Sequence, residues 1–282
     1  MLEMLELGFM QRALVAGALA GAVAPLVGTF VVQRRLSLIG DGLGHIAFAG
    51  VGAAIFFGLP PLALALAFCL AGALGVERMR RRSPEEADMA LAFFFYVAIA
   101  GGVVLTTLAG SFNAGLLGVL FGQVLTVSRA ELMGLAAVGA GVLSGVAVLY
   151  RGLLAAALDE DAAEAGGLPV RALNMVLMAL VGATVAVGMR VVGVLLIAAL
   201  MVLPVAAARM LAGSFRAAVI GSSVTGAAVA VGGIVAAYHA DTPPAATIVL
   251  VAAAVVLLAQ RARTLRSRPG RRRRVRPPAP ST

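Results

Sequence analysis

The stretch RRLSLIGDGLGHIAFAGVGAAIFFG, residues 34–58, puts an aspartate and a histidine inside a run that is otherwise apolar and rich in glycine. Asp41 and His45 stand four residues apart, so in a helix both side chains fall on one face, one turn above each other. An ionised side chain within a membrane span costs on the order of 2.5–3.5 kcal/mol on insertion scales, and such residues face a polar cavity or a partner. The pair is therefore a candidate joint site. Gly40, Gly42, Gly44, Gly50 and Gly52 surround it, removing side chains so that another backbone or a small ion can come close. The same glycines weaken a helix, and a partly unwound segment lining a cavity satisfies the pattern equally well.

The rest of the chain supplies a lipid setting for this stretch. Of its 282 residues 61% are hydrophobic and 12% charged, and the mean hydropathy is +1.03. A soluble fold of that length needs far more polar surface. The apolar runs are long and continuous, near the ~20 residues of a helical span, without the short alternation of an outer-membrane barrel. The expected fold class is all-α and polytopic, with about nine transmembrane helices in a range of roughly eight to ten. Glu3 and Glu6 precede the first apolar run in place of a basic leader region, so no removable signal peptide is expected.

All 22 basic residues are arginine and the net charge is +9. They cluster at span ends and in the C-terminal tail, where they fix topology and meet anionic headgroups. Membrane lipid, and no nucleic acid, is the expected partner of this charge. The single Cys69 cannot form a disulfide within one chain and is expected to be buried or to face lipid.

In order, the first span is expected over about Gly8–Val32, with Gly17 and Gly21 forming a small-xxx-small packing face. It ends at Arg34 and Arg35, which the positive-inside rule assigns to the cytoplasm, leaving the N-terminus outside. The Asp41/His45 segment climbs to the outer face and turns at Gly58-Leu59-Pro60-Pro61. A third span over about Leu62–Val76 returns to Arg78, Arg80, Arg81 and Arg82, which read as a topology anchor. A fourth covers about Met89–Ala109. Residues 111–128, with Asn113 and Gln123, are read as a short external or re-entrant helix, which keeps Arg151 and Arg171 inside after a fifth span at about Leu132–Leu149.

Between Arg151 and Arg171 the acidic residues Asp159, Glu160, Asp161 and Glu164 open a short helix that Gly166, Gly167 and Pro169 terminate. Such a capped acidic helix between spans is either a docking element or a solvated loop. Four further segments follow at about Leu173–Met189, Val191–Met210, Ala217–Tyr238 and Pro244–Gln260, with Arg190 at an outer turn and Pro204 inside a span. His239 and Asp241 lie in an exterior turn and either form plain loop or touch a passing cation. Residues 1–262 make the transmembrane domain, and 263–282 an Arg- and Pro-rich tail expected to be disordered and cytoplasmic. With no lysine there is no GxxxxGK[ST] phosphate loop, so the chain is not expected to be an enzyme, and any ATP is bound by a separate subunit.

Three stretches resemble the permease subunit of bacterial ABC importers for zinc and manganese: RRLSLIGDGLGHIAFAGVG at 34–52, LFGQVLTVS at 120–128, and LDEDAAEAGGLPVRALN through MRVVGVLLIAALMVLPVAAARML between 158 and 210. The resemblance implies a homodimeric, multi-pass permease in the bacterial cytoplasmic membrane, similar in fold to cobalamin and siderophore importers. It implies two copies of a cytoplasmic ABC ATPase and an extracytoplasmic metal-binding protein as partners. It also implies that Asp41 and His45 are the metal site or gate near the dimer axis, and that about Asp159 to Pro169 is the ATPase coupling helix. No resident cofactor is implied, the transported Zn²⁺ or Mn²⁺ being bound only transiently.

The ligand chemistry agrees with that picture on its own. Carboxylate and imidazole suit Zn²⁺ or Mn²⁺ and do not separate either from iron, whereas Cu(I) wants sulfur and the 11 methionines follow no motif. Two ligands per chain are too few for a closed site, but two chains supply four. Three other functions fit parts of the pattern: a permease for a siderophore- or cobalamin-type chelate, a proton-coupled secondary transporter using the pair as a relay, and a membrane scaffold. A structural use also fits, with Asp41 capping a broken helix and His45 packed on a carbonyl.

Overall fold

The computed structural model describes residues 6–82, 87–110, 122 and 124–266. Among these residues the chain forms ten α-helices, one 3-10 turn at Val124–Thr126, and no strand. The helices are α1 (Gly8–Gln33), α2 (Ile39–Phe57), α3 (Pro61–Arg82), α4 (Ala87–Leu108), α5 (Arg129–Leu158), α6 (Glu160–Ala165), α7 (Val170–Val192), α8 (Val194–Leu211), α9 (Phe215–Ala240) and α10 (Pro244–Arg266). Eight are long and apolar enough to cross a membrane. The shorter α8 packs inside the bundle with Val194, Leu196, Ile197, Leu200, Met201 and Val205 buried. Together they make a multi-pass all-α membrane protein.

Several helices outrun the apolar stretches that announce them. α3 continues to Arg82 and α5 runs from Arg129 to Leu158, because a helix does not end where its hydrophobic run meets the interface. α5 begins instead at a capping box, in which Ser128 Oγ accepts from the Glu131 amide at 3.2 Å while Glu131 Oε2 accepts from the Ser128 amide at 3.0 Å. α10 likewise reaches Arg266, past the expected domain boundary at 262, and residues 267–282 lie outside the described residues. The break expected at Arg190 falls instead at Gly193, whose φ of 91° a side chain would resist. Arg190 itself is still helical.

Small residues set the helix spacing at the centre. Gly17 of α1 receives the Ile234 side chain of α9, and Gly21 lies against the backbone of Gly226, which realises the small-xxx-small face seen in the sequence. Gly28 faces the Met201 carbonyl of α8. Pro25 interrupts the hydrogen-bond ladder of α1. Polar groups are satisfied beside it: the Thr29 hydroxyl donates to the Pro25 carbonyl at 2.9 Å and meets Ser222 Oγ of α9 at 2.9 Å. Cys69 is fully buried, its thiol pointing at the Leu43 carbonyl at 3.4 Å.

Contacts between distant residues fix which ends lie together. Arg34, Arg80 and Glu160 meet at one end of the bundle. At the other, Arg12 Nε donates to the Val127 carbonyl at 3.0 Å. The acidic stretch therefore shares a side with the arginines that follow α1 and end α3. Residues 111–121 and Gln123, and with them Asn113, lie outside the described residues.

Replacing Gly226 by leucine drives a side chain into the Gly21 carbonyl and the Pro25 ring, whereas Gly232 on the same helix faces open space. Overpacking of this kind costs about 1–3 kcal/mol or more. Gly226→Leu is expected to lower the yield and melting temperature of detergent-extracted protein, and Gly232→Leu to leave both near wild type, as read by size-exclusion chromatography and thermal scanning.

Candidate functional site

α2 is an unbroken helix from Ile39 to Phe57. Its glycines do not unwind it; they let its neighbours close in. Gly40 and Gly44 face Met201, Ala198 and Val194 of α8, Gly42 faces Leu91 of α4, and Gly50 lies on the backbone of Leu64 and Ala65 in α3. Gly52 meets Gly102 and Thr106 of α4. The N-cap is Leu38, with no side chain capping the helix, so Asp41 does not serve as a cap.

Asp41 and His45 occupy the strip between the α8 and α4 contacts. His45 Nε2 stands 3.9 Å from Asp41 Oδ1, and the side chains are 13% and 41% exposed respectively. The His45 ring packs edge-to-face on Phe95 of α4, with centroids 4.6 Å apart and planes at 73°, so it rests on an aromatic face and not on a carbonyl. Asp41 opens into a groove of about 300 Å³ shared with Leu38, Phe95 and Tyr96. Two atoms bound to one tetrahedral ion at about 2.1 Å each stand roughly 3.4 Å apart, so a small side-chain rotation brings this pair to chelating distance. Among the described residues there is no group of three or more His, Cys, Asp or Glu able to hold a metal. A single chain thus presents one carboxylate and one imidazole side by side, with the carboxylate open to the groove.

The acidic stretch folds as expected into a short helix. Asp159 caps α6 by accepting from the Ala162 amide at 2.9 Å. Gly166 and Gly167 end it, the latter at a φ of 82°, and Pro169 caps α7. Ala163 is buried with Ala156 and Val170, while Asp161, Glu164, Gly166 and Gly167 are exposed. Glu160 turns inward: its carboxylate is paired with Arg34, accepts from Arg80 Nη2 at 3.0 Å and from Asn174 Nδ2 at 3.4 Å. Arg80 and Arg81 both bond the buried Glu77, each through Nε at 2.9 Å. Burial, and then the neighbouring Arg80 charge, pull the Arg34 guanidinium down to about 10 despite the opposing pull of Glu77. It stays charged at neutral pH.

Sequence reasoning passed over Phe95 and Tyr96, although the aromatic run at 93–96 was a visible signal. It also read Arg34 and Arg80 as topology anchors alone. His239 lies at the end of α9 with Nδ1 against the Val235 carbonyl at 2.9 Å, and Asp241 caps that helix at a φ of 50°. The His239 ring is engaged by the backbone of its own helix, and Asp241 is exposed at the helix end.

Comparison with known proteins places these features in a family. Residues 6–262 match the ABC 3 transport family. The manganese transport system membrane protein MntC of Listeria innocua is 31% identical over 235 residues, 83% of this chain and 84% of that protein. The manganese import system permease protein ScaB of Streptococcus gordonii is 30% identical over 230 residues, 82% of each. Among solved structures, PsaBC from Streptococcus pneumoniae in complex with Fab superposes with a TM-score of 0.84 at 30% identity, covering 94% of this chain and 98% of that one. With a family match across nearly its whole length and relatives aligned over more than four fifths of it, this chain belongs to the ABC 3 transport family.

Proposed function

We propose that the chain is the membrane-spanning permease of an ATP-driven importer for a divalent metal ion, manganese foremost and zinc or iron as alternatives. The observation that carries this reading is family membership shared with permeases named for manganese transport, over more than four fifths of the chain. The Asp41/His45 pair supplies fitting chemistry, since carboxylate and imidazole suit Mn²⁺ and Zn²⁺.

Two copies assemble across the strip that carries the pair. An ionisable group left facing lipid is costly, and Asp41 is 41% exposed in the single chain; a second copy covers it and doubles the ligand set to two carboxylates and two imidazoles. The ion arrives from an extracytoplasmic metal-binding protein, sheds water on these groups and leaves toward the cytoplasm. A cytoplasmic ABC ATPase docks on the exposed face of α6, where Asp161 and Glu164 stand clear of the bundle, and supplies the energy. The chain itself hydrolyses nothing. A chelate carrier needs a wide uncharged passage, and a proton-coupled carrier needs no docking helix.

In cells that depend on this chain, uptake of radioactive manganese and zinc identifies the cargo. Asp41→Ala and His45→Ala are each expected to bring that uptake to background while the protein still inserts in the membrane. A double variant that transports normally rules the pair out as ligands.

Imidazole binds a cation only when neutral, so protonation competes with the metal. Uptake is expected to fall as the external pH is lowered. A wild-type profile that stays flat counts against His45.

A further inference from the structure

At the end of the bundle that carries α6, five charged side chains from three separate parts of the chain converge. Glu160 of α6 is the hub, pairing with Arg34 after α1 and with Arg80 of α3; Glu77 of α3 holds Arg80 and Arg81 from beneath. The side chain of Arg34 is 4% exposed and that of Glu77 is 1% exposed. Surface arginines that only mark topology do not bury themselves in this way. Charge-assisted bonds between such groups are strong and directional, and a buried pair deprived of one partner leaves an uncompensated charge behind.

What makes the cluster more than a brace is where Arg34 leads. Only residues 35–38 separate it from α2, and that link is not slack. The Leu36 amide bonds the Val31 carbonyl at 3.0 Å, Ile39 bonds Leu36 at 3.0 Å and Gly42 bonds Leu38 at 3.1 Å. Arg35 is held in the left-handed region at a φ of 61°, a conformation that a non-glycine residue keeps only when its surroundings impose it. A displacement of Arg34 therefore reaches the first turn of α2, where Asp41 sits. A second route runs through α3, which carries Glu77 and Arg80 and packs on α2 where Ile46 fills the space at Gly72 and Gly50 meets Ala65.

We propose that Glu160, Arg34, Arg80 and Glu77 form the joint through which movement of α6 is passed to the Asp41/His45 helix. The inference rests on the reading that α6 meets an ATPase. These are positioning residues: none touches the ion or the nucleotide. Glu160 differs from Asp161 and Glu164 in its task, since it faces the bundle and they face the partner.

The test uses the complete transporter, this chain with its ATPase and its external metal-binding protein, reconstituted in liposomes, with metal delivered and ATP consumed measured together. Glu160→Gln keeps the shape of the side chain and removes its charge. The ATPase subunit is expected to stay bound and to keep hydrolysing ATP, while metal moved per ATP falls about tenfold or more. Arg34→Gln should give the same loss, and the double variant should be no worse than either alone, as two members of one joint require. An unchanged metal-to-ATP ratio in Glu160→Gln overturns the proposal. So does loss of the ATPase from the complex, which would make Glu160 part of the docking surface. If Glu160→Gln does not accumulate in the membrane, Arg80→Lys decides by the same ratio, since it keeps the charge and loses the fork that bonds both Glu77 and Glu160; a normal ratio there likewise overturns the joint. A wild-type complex that binds no ATPase or moves no metal would instead refute the parent reading.

Discussion

A helix that keeps a carboxylate and an imidazole at membrane depth has to be gripped on every other side, and the glycines of α2 make that grip available. Without side chains at Gly40 and Gly44 the α8 backbone region comes within contact distance; at Gly50 the α3 backbone does, and at Gly52 that of α4. Dense packing of this kind is what membrane helices have in place of a hydrophobic drive between them. It leaves one strip free, and the two ionisable groups are on that strip. Substituting bulk at these positions would push α2 away from its neighbours, so the site and the packing stand or fall together.

The same economy of space explains α8. It is the shortest helix besides α6, and it lies against α1, α2, α7, α9 and α10, with apolar side chains buried. Gly193, at a φ reserved for glycine, permits the abrupt return from α7. At its far end Arg209 Nη2 donates to Gln33 Oε1 at 2.8 Å, next to Arg34. The helix that backs the Asp41 turn is thereby tied to the same end of the bundle as the acidic α6.

Much of this was legible in the sequence, for physical reasons that also mark where legibility stops. Long apolar runs bounded by arginine announce membrane helices, and Gly17 with Gly21 announces a close crossing, because both depend on residues near in sequence. The turn of helix that brings Asp41 beside His45 is local as well. The partners of Arg34 and Arg80 are not: Glu160 is 126 and 80 residues away from them, and nothing in a linear string distinguishes an arginine that anchors topology from one that is buried against a carboxylate. The glycines were ambiguous for a related reason. Whether they unwind a helix or let another approach depends on what lies opposite, and the residues opposite Gly40 are some 160 positions further on. Helix ends were misjudged because hydrophobicity reports the bilayer boundary, while caps such as Ser128–Glu131 set the end of the helix.

A pathway for an ion must bind it well enough to replace water and loosely enough to release it, and in the proposed dimer half a coordination shell on each chain meets both demands. A closed set of four ligands in a single protomer would hold zinc as structural sites do, with the metal part of the fold. Here the pair is 3.9 Å apart, one member part-exposed and the other propped on Phe95. In the proposed dimer the complete shell exists only while two copies of α2 face each other at the right separation. A change in that separation then changes affinity without any ligand being protonated or displaced. The joint at Glu160 acts on the end of α2 where Asp41 sits, which is the end from which a small displacement alters the spacing of the two carboxylates most directly.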